Sequence, residues 1–260
     1  MNVFILTDLE GITGVTSIEH MDRTGEKYKI ACECLVRELN YVAEVCHMNG
    51  ADKIYYLDGH GGGGNIAEDK VLPCLTKADI PMWQQLLKEG KIDCHMEIGS
   101  HARAGTINGF LDHTQNSRSW FKYTINGYEF SELGMHAIIC GLYDVPIVLC
   151  IGDEVACQQA KEFIPDIYTA AVKTASCRNE CQCYENADEI IKSNVEKALK
   201  NYNSIKPFNI KYPAEIELTY YRTDMCEEVL VRCDNNVIRK DARTLYKVLN
   251  KINSYYDLRF

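Results

Sequence analysis

The sequence predicts an α/β protein: a three-layer α/β/α arrangement around a largely parallel sheet, with a smaller α+β C-terminal part. Three observations predict it. Near the N-terminus two short apolar runs, Val3–Leu6 and Ile54–Leu57, flank a long stretch of helical periodicity. Farther on, the very apolar run Val145–Ile151 and the run Ile167–Val172 enclose a second helical stretch. Beyond Lys206-Pro207 the pattern changes to residues that alternate. Strand, helix, strand implies parallel strands joined by a right-handed crossover. The division expected is residues 1–205 as one α/β domain and 206–260 as a smaller α+β region.

Each element has its own signal. Val3–Leu6 is a short apolar run stopped by polar residues, the mark of a buried strand. Between about Glu26 and Met48, Ile30, Cys34, Leu35, Leu39, Val42 and Val45 recur at helical intervals, and Gly50 stands where the helix should end. Ile54–Leu57 then runs into Asp58-Gly59-His60 and the glycines 61–64. Ile92–Ile98 reads as a strand, and Trp120–Ile125 and Tyr128–Phe130 flank Asn126-Gly127, a strong hairpin signal. Ser131 can cap a helix to about Cys140, Asp153–Phe163 and Ala187–Tyr202 read as helices, and Glu215–Tyr220 alternates as a strand does. Val229–Cys233 is expected as a strand and Ala242–Ile252 as a helix.

The charge balance narrows the function. With 28 Lys+Arg against 37 Asp+Glu the net charge is −9, which disfavours nucleic acid or an anionic membrane as the main partner. Hydrophobic residues at 46% and charged residues at 25% are globular values and argue against wholesale disorder. The first residues lack the basic region of a secretory signal, and no segment approaches the ~20 apolar residues of a membrane span. A cytoplasmic location is therefore expected, with the 13 cysteines mostly free thiols. The spacing of Cys177, Cys181 and Cys183 does not fit common zinc sites.

The chemistry begins at Asp8-Leu9-Glu10. In an extended chain residues two apart face the same way, so both carboxylates project together where the first strand leaves the sheet. Adjacent anions are costly without a cation or proton between them. On its own the pair also describes a solvated loop or a helix cap. His60 follows a strand expected beside the first, and carboxylates plus imidazole at adjacent strand ends suit zinc or another divalent ion. The glycine run that follows could instead cradle phosphate, although it lacks a P-loop ending.

These residues carry a resemblance. Asp8-Leu9-Glu10-Gly11-Ile12-Thr13-Gly14, Asp58-Gly59-His60, Gly99-Ser100-His101-Ala102-Arg103-Ala104, His113 and Ser131-Glu132-Leu133-Gly134 resemble, in order, the motifs of the M55 family of metallopeptidases. Tyr143-Asp144-Val145-Pro146, Gly152-Asp153, Ile164-Pro165 and Thr169-Ala170-Ala171-Val172-Lys173 continue it. The run of glycines at 61–64 and the interval from His101 to His113 depart slightly from the family pattern.

The resemblance implies a zinc-dependent aminopeptidase acting on short peptides, with D-residue substrates such as D-Ala-D-Ala in view. It assigns Asp8, Glu10, His60, His101 and Glu132 as ligands of two zinc ions per subunit, with Asp8 bridging, and His113 as the catalytic residue. It further implies a homo-oligomer, a decamer of two stacked pentamers. The inferred chemistry is metal-assisted amide hydrolysis, in which one ion lowers the pKa of water toward ~7 and the other polarises the scissile carbonyl. Competing expectations are a dimetal hydrolase of another class, such as a phosphoesterase or amidase, and a non-catalytic dipeptide-binding protein. Among other polar residues, Arg103 is either a substrate contact or a partner for a nearby acid, and Asp58 either orients a ligand or caps the glycine turn. His136 lies one helical turn after Glu132, His95 and Glu97 form a strand pair, and His20 and His47 are expected at the surface.

Overall fold

The computed structural model of the chain describes all 260 residues. In chain order the elements are β1 (Asn2–Thr7), α1 (Glu26–Met48), β2 (Lys53–Asp58), β3 (Leu75–Lys77), α2 (Ile80–Lys88), β4 (Cys94–Ser100), β5 (Trp120–Ile125), β6 (Tyr128–Glu129), α3 (Glu132–Gly141), β7 (Ile147–Asp153), α4 (Glu154–Phe163), β8 (Tyr168–Cys177), β9 (Glu180–Cys183), α5 (Ala187–Asn201), β10 (Ala214–Tyr220), α6 (Thr223–Leu230), β11 (Ile238–Arg239) and β12 (Thr244–Leu249).

Seven strands form the main sheet in the order β3-β2-β1-β4-β7-β8-β9, parallel throughout except for the β8–β9 hairpin. From β1 the chain moves to β2 on one side, and later from β4 to β7 to β8 on the other. Right-handed crossovers then place α1 on one face of the sheet and α3 and α4 on the opposite face. Helix α5 packs beside α1, and α2 lies on the α3 side, where Trp83 meets Phe4, His95 and His136. Of the interior strands, β1 and β7 are almost wholly apolar, as burial on both faces demands, whereas β4 also buries His95 and Glu97. Reversal of strand order between β1 and β4 makes their carboxyl ends the topological switch point, the usual ligand crevice of such sheets.

The second sheet is antiparallel, in the order β11-β12-β10-β5-β6. It joins the Asn126-Gly127 hairpin from mid-chain to three strands after residue 206, so it straddles that position. Its buried residues Ile125, Ile216, Leu218 and Leu245 belong to the same apolar cluster as Leu149 and Ile151 of the main sheet.

Two sequence expectations for this region are corrected. Val229 lies in the last turn of helix α6 instead of starting a strand, because Met225, Cys226 and Val229 recur at helical spacing and lay one face on the second sheet. Thr244–Leu249 is a strand, not a helix: its β-favouring Thr, Tyr and Val pair residue by residue with β10, and tertiary pairing overrides local periodicity. Helix α2 is an added element, capped by the Asp79 carboxylate, which accepts from the Met82 N–H at 2.8 Å.

Candidate metal centre

Three strands of the main sheet deliver the first side chains. Asp8 follows β1, His60 follows β2 and His101 follows β4, all at carboxyl ends. Glu10 lies in the irregular segment after β1, whose path is fixed by close contact with β4. The Gly11 N–H donates to the Gly99 carbonyl at 2.8 Å, and a Cβ on Gly11 would stand 2.2 Å from the Ser100 carbonyl oxygen. Glu132 opens α3, one residue after the Ser131 cap whose hydroxyl accepts from the Gly134 N–H at 3.2 Å. His113 comes from the long connection between β4 and β5, its N–H held by the Ala102 carbonyl at 3.1 Å.

All six sequence-derived residues converge in two adjoining groups, Asp8 with Glu10 and His60, and His101 with His113 and Glu132. His60 Nδ1 lies 3.0 Å from Asp8 Oδ1 and 3.0 Å from Glu10 Oε2. His101 Nε2 lies 3.2 Å from Asp8 Oδ2 and 3.5 Å from Glu132 Oε1, so Asp8 spans both groups. His113 Nε2 stands 3.8 Å from Glu132 Oε1 and 3.9 Å from Glu10 Oε1.

Proton placement follows from the second nitrogen of each ring. A main-chain carbonyl only accepts, so His101 Nδ1, 2.9 Å from the Ala102 oxygen, carries a hydrogen, as does His113 Nδ1, 2.8 Å from the Leu111 oxygen. In the neutral rings each Nε2 then turns a lone pair toward carboxylates. His101 Nε2 is buried and, despite its short distance to Asp8, is not aligned with any hydrogen-bond partner. A lone pair facing carboxylate oxygens in a buried site calls for a cation or a proton between them. Carboxylate oxygens and imidazole nitrogens in this number are a donor set that fits zinc.

Without a metal, protons fill that role. Burial opposes the charge on His60, but Glu10 and Asp8 outweigh it and push the imidazole up to about 11. His101 is likewise raised well above its ordinary value, burial being overcome by Asp8 and Glu132. Burial would raise Glu10, yet His60 beside it holds the carboxyl well below the usual range. Glu132, also buried, is brought down to about 2 by His101.

The groups open onto a cleft of about 810 Å³, lined by Asp8, Glu10, His60, His113 and Glu132, with Trp83 and Tyr255 on one wall. His101 lies behind them, 7% exposed. This volume is that of a small-molecule site.

Other polar residues support the site at one remove. The Gln115 N–H donates to Glu132 Oε1 at 2.7 Å and so orients that carboxylate, which no pattern in the sequence announces. His136 Nδ1 and His95 Nε2 share Glu97 Oε1 at 2.9 and 3.0 Å, a buried network under the cleft. Asp58 closes the glycine turn: its carboxylate accepts from Asn65 N–H at 2.7 Å and Ile66 N–H at 3.3 Å, while Asn65 Nδ2 donates to the His60 carbonyl at 2.7 Å. Gly61–Gly64 all have positive φ, from +55° to +87°, which side chains rarely adopt. Arg103 pairs with Glu162 at 2.7 Å and Glu129 at 3.5 Å and does not line the cleft. His20 is buried against Ser17, contrary to the surface position expected, because the short helical turn after β1 folds its ring inward. All 13 cysteines are free, and Cys181 and Cys183 bond Val15 O and Gly14 N, at 3.4 and 3.3 Å.

A largely parallel α/β sheet thus gathers, at its switch point, carboxylates and imidazoles that make up a donor set for a divalent metal ion. The sequence model of a peptidase family, M55, described as D-aminopeptidase, matches residues 1–258, and the chain belongs to that family. It is a metallo-aminopeptidase by class. The D-aminopeptidase of Bacillus subtilis strain 168 is 29% identical over 214 residues, 80% of this chain and 77% of the relative. A solved structure described as the Zn-dependent D-aminopeptidase DppA from Bacillus subtilis, a self-compartmentalizing protease, shares the fold at a TM-score of 0.90 and 22% identity, over 99% of this chain and 95% of that one.

Proposed function

We propose that the chain is a zinc-dependent aminopeptidase that releases the N-terminal residue of short peptides, with two zinc ions per subunit and D-residue peptides such as D-Ala-D-Ala as substrates. The observation that carries this reading is the buried, unpartnered His101 Nε2 directed at Asp8 and Glu132. Asp8, Glu10 and His60 would hold one ion, and Asp8, His101 and Glu132 the other. The ions supply Lewis acidity, which polarises an amide carbonyl and makes water a competent nucleophile near neutral pH. The relatives support zinc and the D-peptide preference through what their names state.

The chain's own residues supply the rest. His113 presents Nε2 to the cleft with Nδ1 pinned to the Leu111 carbonyl, the tautomer needed to accept a proton or to attack. Carboxylates in the cleft attract the substrate's terminal ammonium. Ile18, Met21 and Ile80, which also line the cleft and are only partly buried or exposed, offer apolar surface to a side chain.

The self-compartmentalizing neighbour supports assembly into a homo-oligomer, proposed here as a decamer. No helix is long and apolar enough to cross a membrane, and the free thiols suit a reducing, cytoplasmic setting. Assays with zinc on D-Ala-D-Ala, L-Ala-L-Ala, an amino-acid amide and a phosphate monoester test the function. Cleavage of the D-peptide in preference to the L-peptide is expected, and phosphate release without amide cleavage would overturn the proposal. Light scattering checks the assembly, with a monomer as the contrary result.

A further inference from the structure

Lys173, on β8, is fully buried and makes no ion pair. Its ammonium has three hydrogens, and three main-chain carbonyls take them: Glu10 at 2.9 Å, Ile12 at 2.6 Å and Val15 at 2.6 Å. All three belong to the segment between β1 and the following short helical turn, which contains no strand or helix of its own. The ring of Phe110 lies 5.2 Å from the same nitrogen. A buried charge without a carboxylate partner is costly, and burial draws the Lys173 pKa below its ordinary value. Elsewhere in the segment the backbone is held by the Gly11 contact with β4 and by the cysteines of β9. By contrast His101 and Glu132 are held by β4, α3 and the Gln115 N–H, which Lys173 does not touch.

We infer that Lys173 is a positioning residue for one of the two metal sites, fixing Glu10 by its own carbonyl so that its carboxylate meets His60 at 3.0 Å. The inference rests on the two-ion reading above. Charge and position make opposite demands. A cation near a cation site weakens metal binding by repulsion, so its removal alone would tighten binding. Loss of the anchor leaves three carbonyls unpartnered and frees Glu10, which weakens binding at that site, by roughly 10–100-fold in the manner of residues that orient ligands.

The test is zinc titration of chelator-stripped protein, followed by competition with a chromophoric chelator, for wild type, Lys173→Met and His60→Ala. Wild type is expected to bind two ions. Lys173→Met is expected to resemble His60→Ala, with one ion weakened and the other, held by His101 and Glu132, retained as an internal control for folding. Should Lys173→Met fail to fold, Lys173→Arg keeps the charge but not the compact three-way geometry, and is expected to weaken the same ion. Unchanged binding, tighter binding, or parallel loss of both ions in folded protein overturns the inference. A wild-type chain that binds only one ion contradicts the two-ion reading itself, before Lys173 is altered.

Discussion

His113 stacks on His101 with ring centroids 4.0 Å apart and planes within 7° of parallel. The two rings nevertheless face different surroundings. His101 is buried behind the carboxylates, whereas His113 lines the cleft. Replacing His113 with Ala is therefore expected to leave zinc bound and to lower kcat by about 10²–10⁴-fold, the range for loss of a positioned proton-transfer group. His101→Ala is expected to lose metal. Zinc analysis beside kcat separates the two, and loss of zinc from His113→Ala would make His113 a ligand.

Metal and protons compete for the same nitrogens. In the metal-free site Glu10 and Asp8 overcome burial and push His60 up to about 11, so at pH 7 it holds a proton that an incoming ion must displace. Zinc uptake at pH 7 is expected to release roughly one proton per ion and to weaken as pH falls. Calorimetry in buffers of different ionisation enthalpy measures the number, and zero release would contradict the assigned ligand. The same shift governs the stability of chelator-treated protein. A folded pKa of about 11 lies above the ordinary ~6.5. The His60 contribution is then fully present below pH ~6.5 and is lost as pH rises toward that higher value. Denaturant midpoints of stripped protein should accordingly fall from neutral to alkaline pH through this group.

Gly11→Ala should be among the most damaging small changes. Its methyl would overlap the Ser100 carbonyl oxygen, and relief requires moving the segment that carries Glu10. A loss of about 1–3 kcal/mol in stability is expected, with weakened zinc binding. Urea melts and zinc titration measure both, and wild-type values in the two would show that β1 and β4 tolerate a wider separation.

Arg103 serves as the contrasting case. Its guanidinium is occupied by Glu162 and Glu129 away from the cleft. Arg103→Ala is expected to change stability by less than ~1 kcal/mol and kcat/KM by less than about twofold. A large rise in KM with unchanged stability would return it to the substrate site.

What the sequence made legible follows the range of the forces involved. Asp8 and His60 are legible together because apolar runs mark β1 and β2 and a single crossover makes them neighbours; Glu10 does join them, but through a bend and turn after β1 instead of the extended period-two geometry the sequence suggests. His101 follows a strand by the same logic, although nothing local says which strand β4 adjoins. Glu132 and His113 are legible only through the family motifs, since one starts a helix and the other lies in an irregular loop whose path depends on Ala102, Leu111 and Asp112. Lys173 reads in sequence as a lysine near the end of an apolar strand. Its role depends on three carbonyls some 160 residues earlier in the chain. The second sheet was hidden for a similar reason: β5, β10 and β12 come from distant parts of the chain, and their pairing overrode the helical pattern of Ala242–Ile252.

The most direct test of the central claim is a zinc titration of chelator-stripped protein with hydrolysis of D-Ala-D-Ala followed at each addition. Activity is expected to be absent without zinc, to rise with added metal and to level off at two equivalents per chain, while Asp8→Ala stays inactive throughout. Full turnover by the stripped protein, or by Asp8→Ala, would contradict a metal-dependent hydrolysis centred on Asp8.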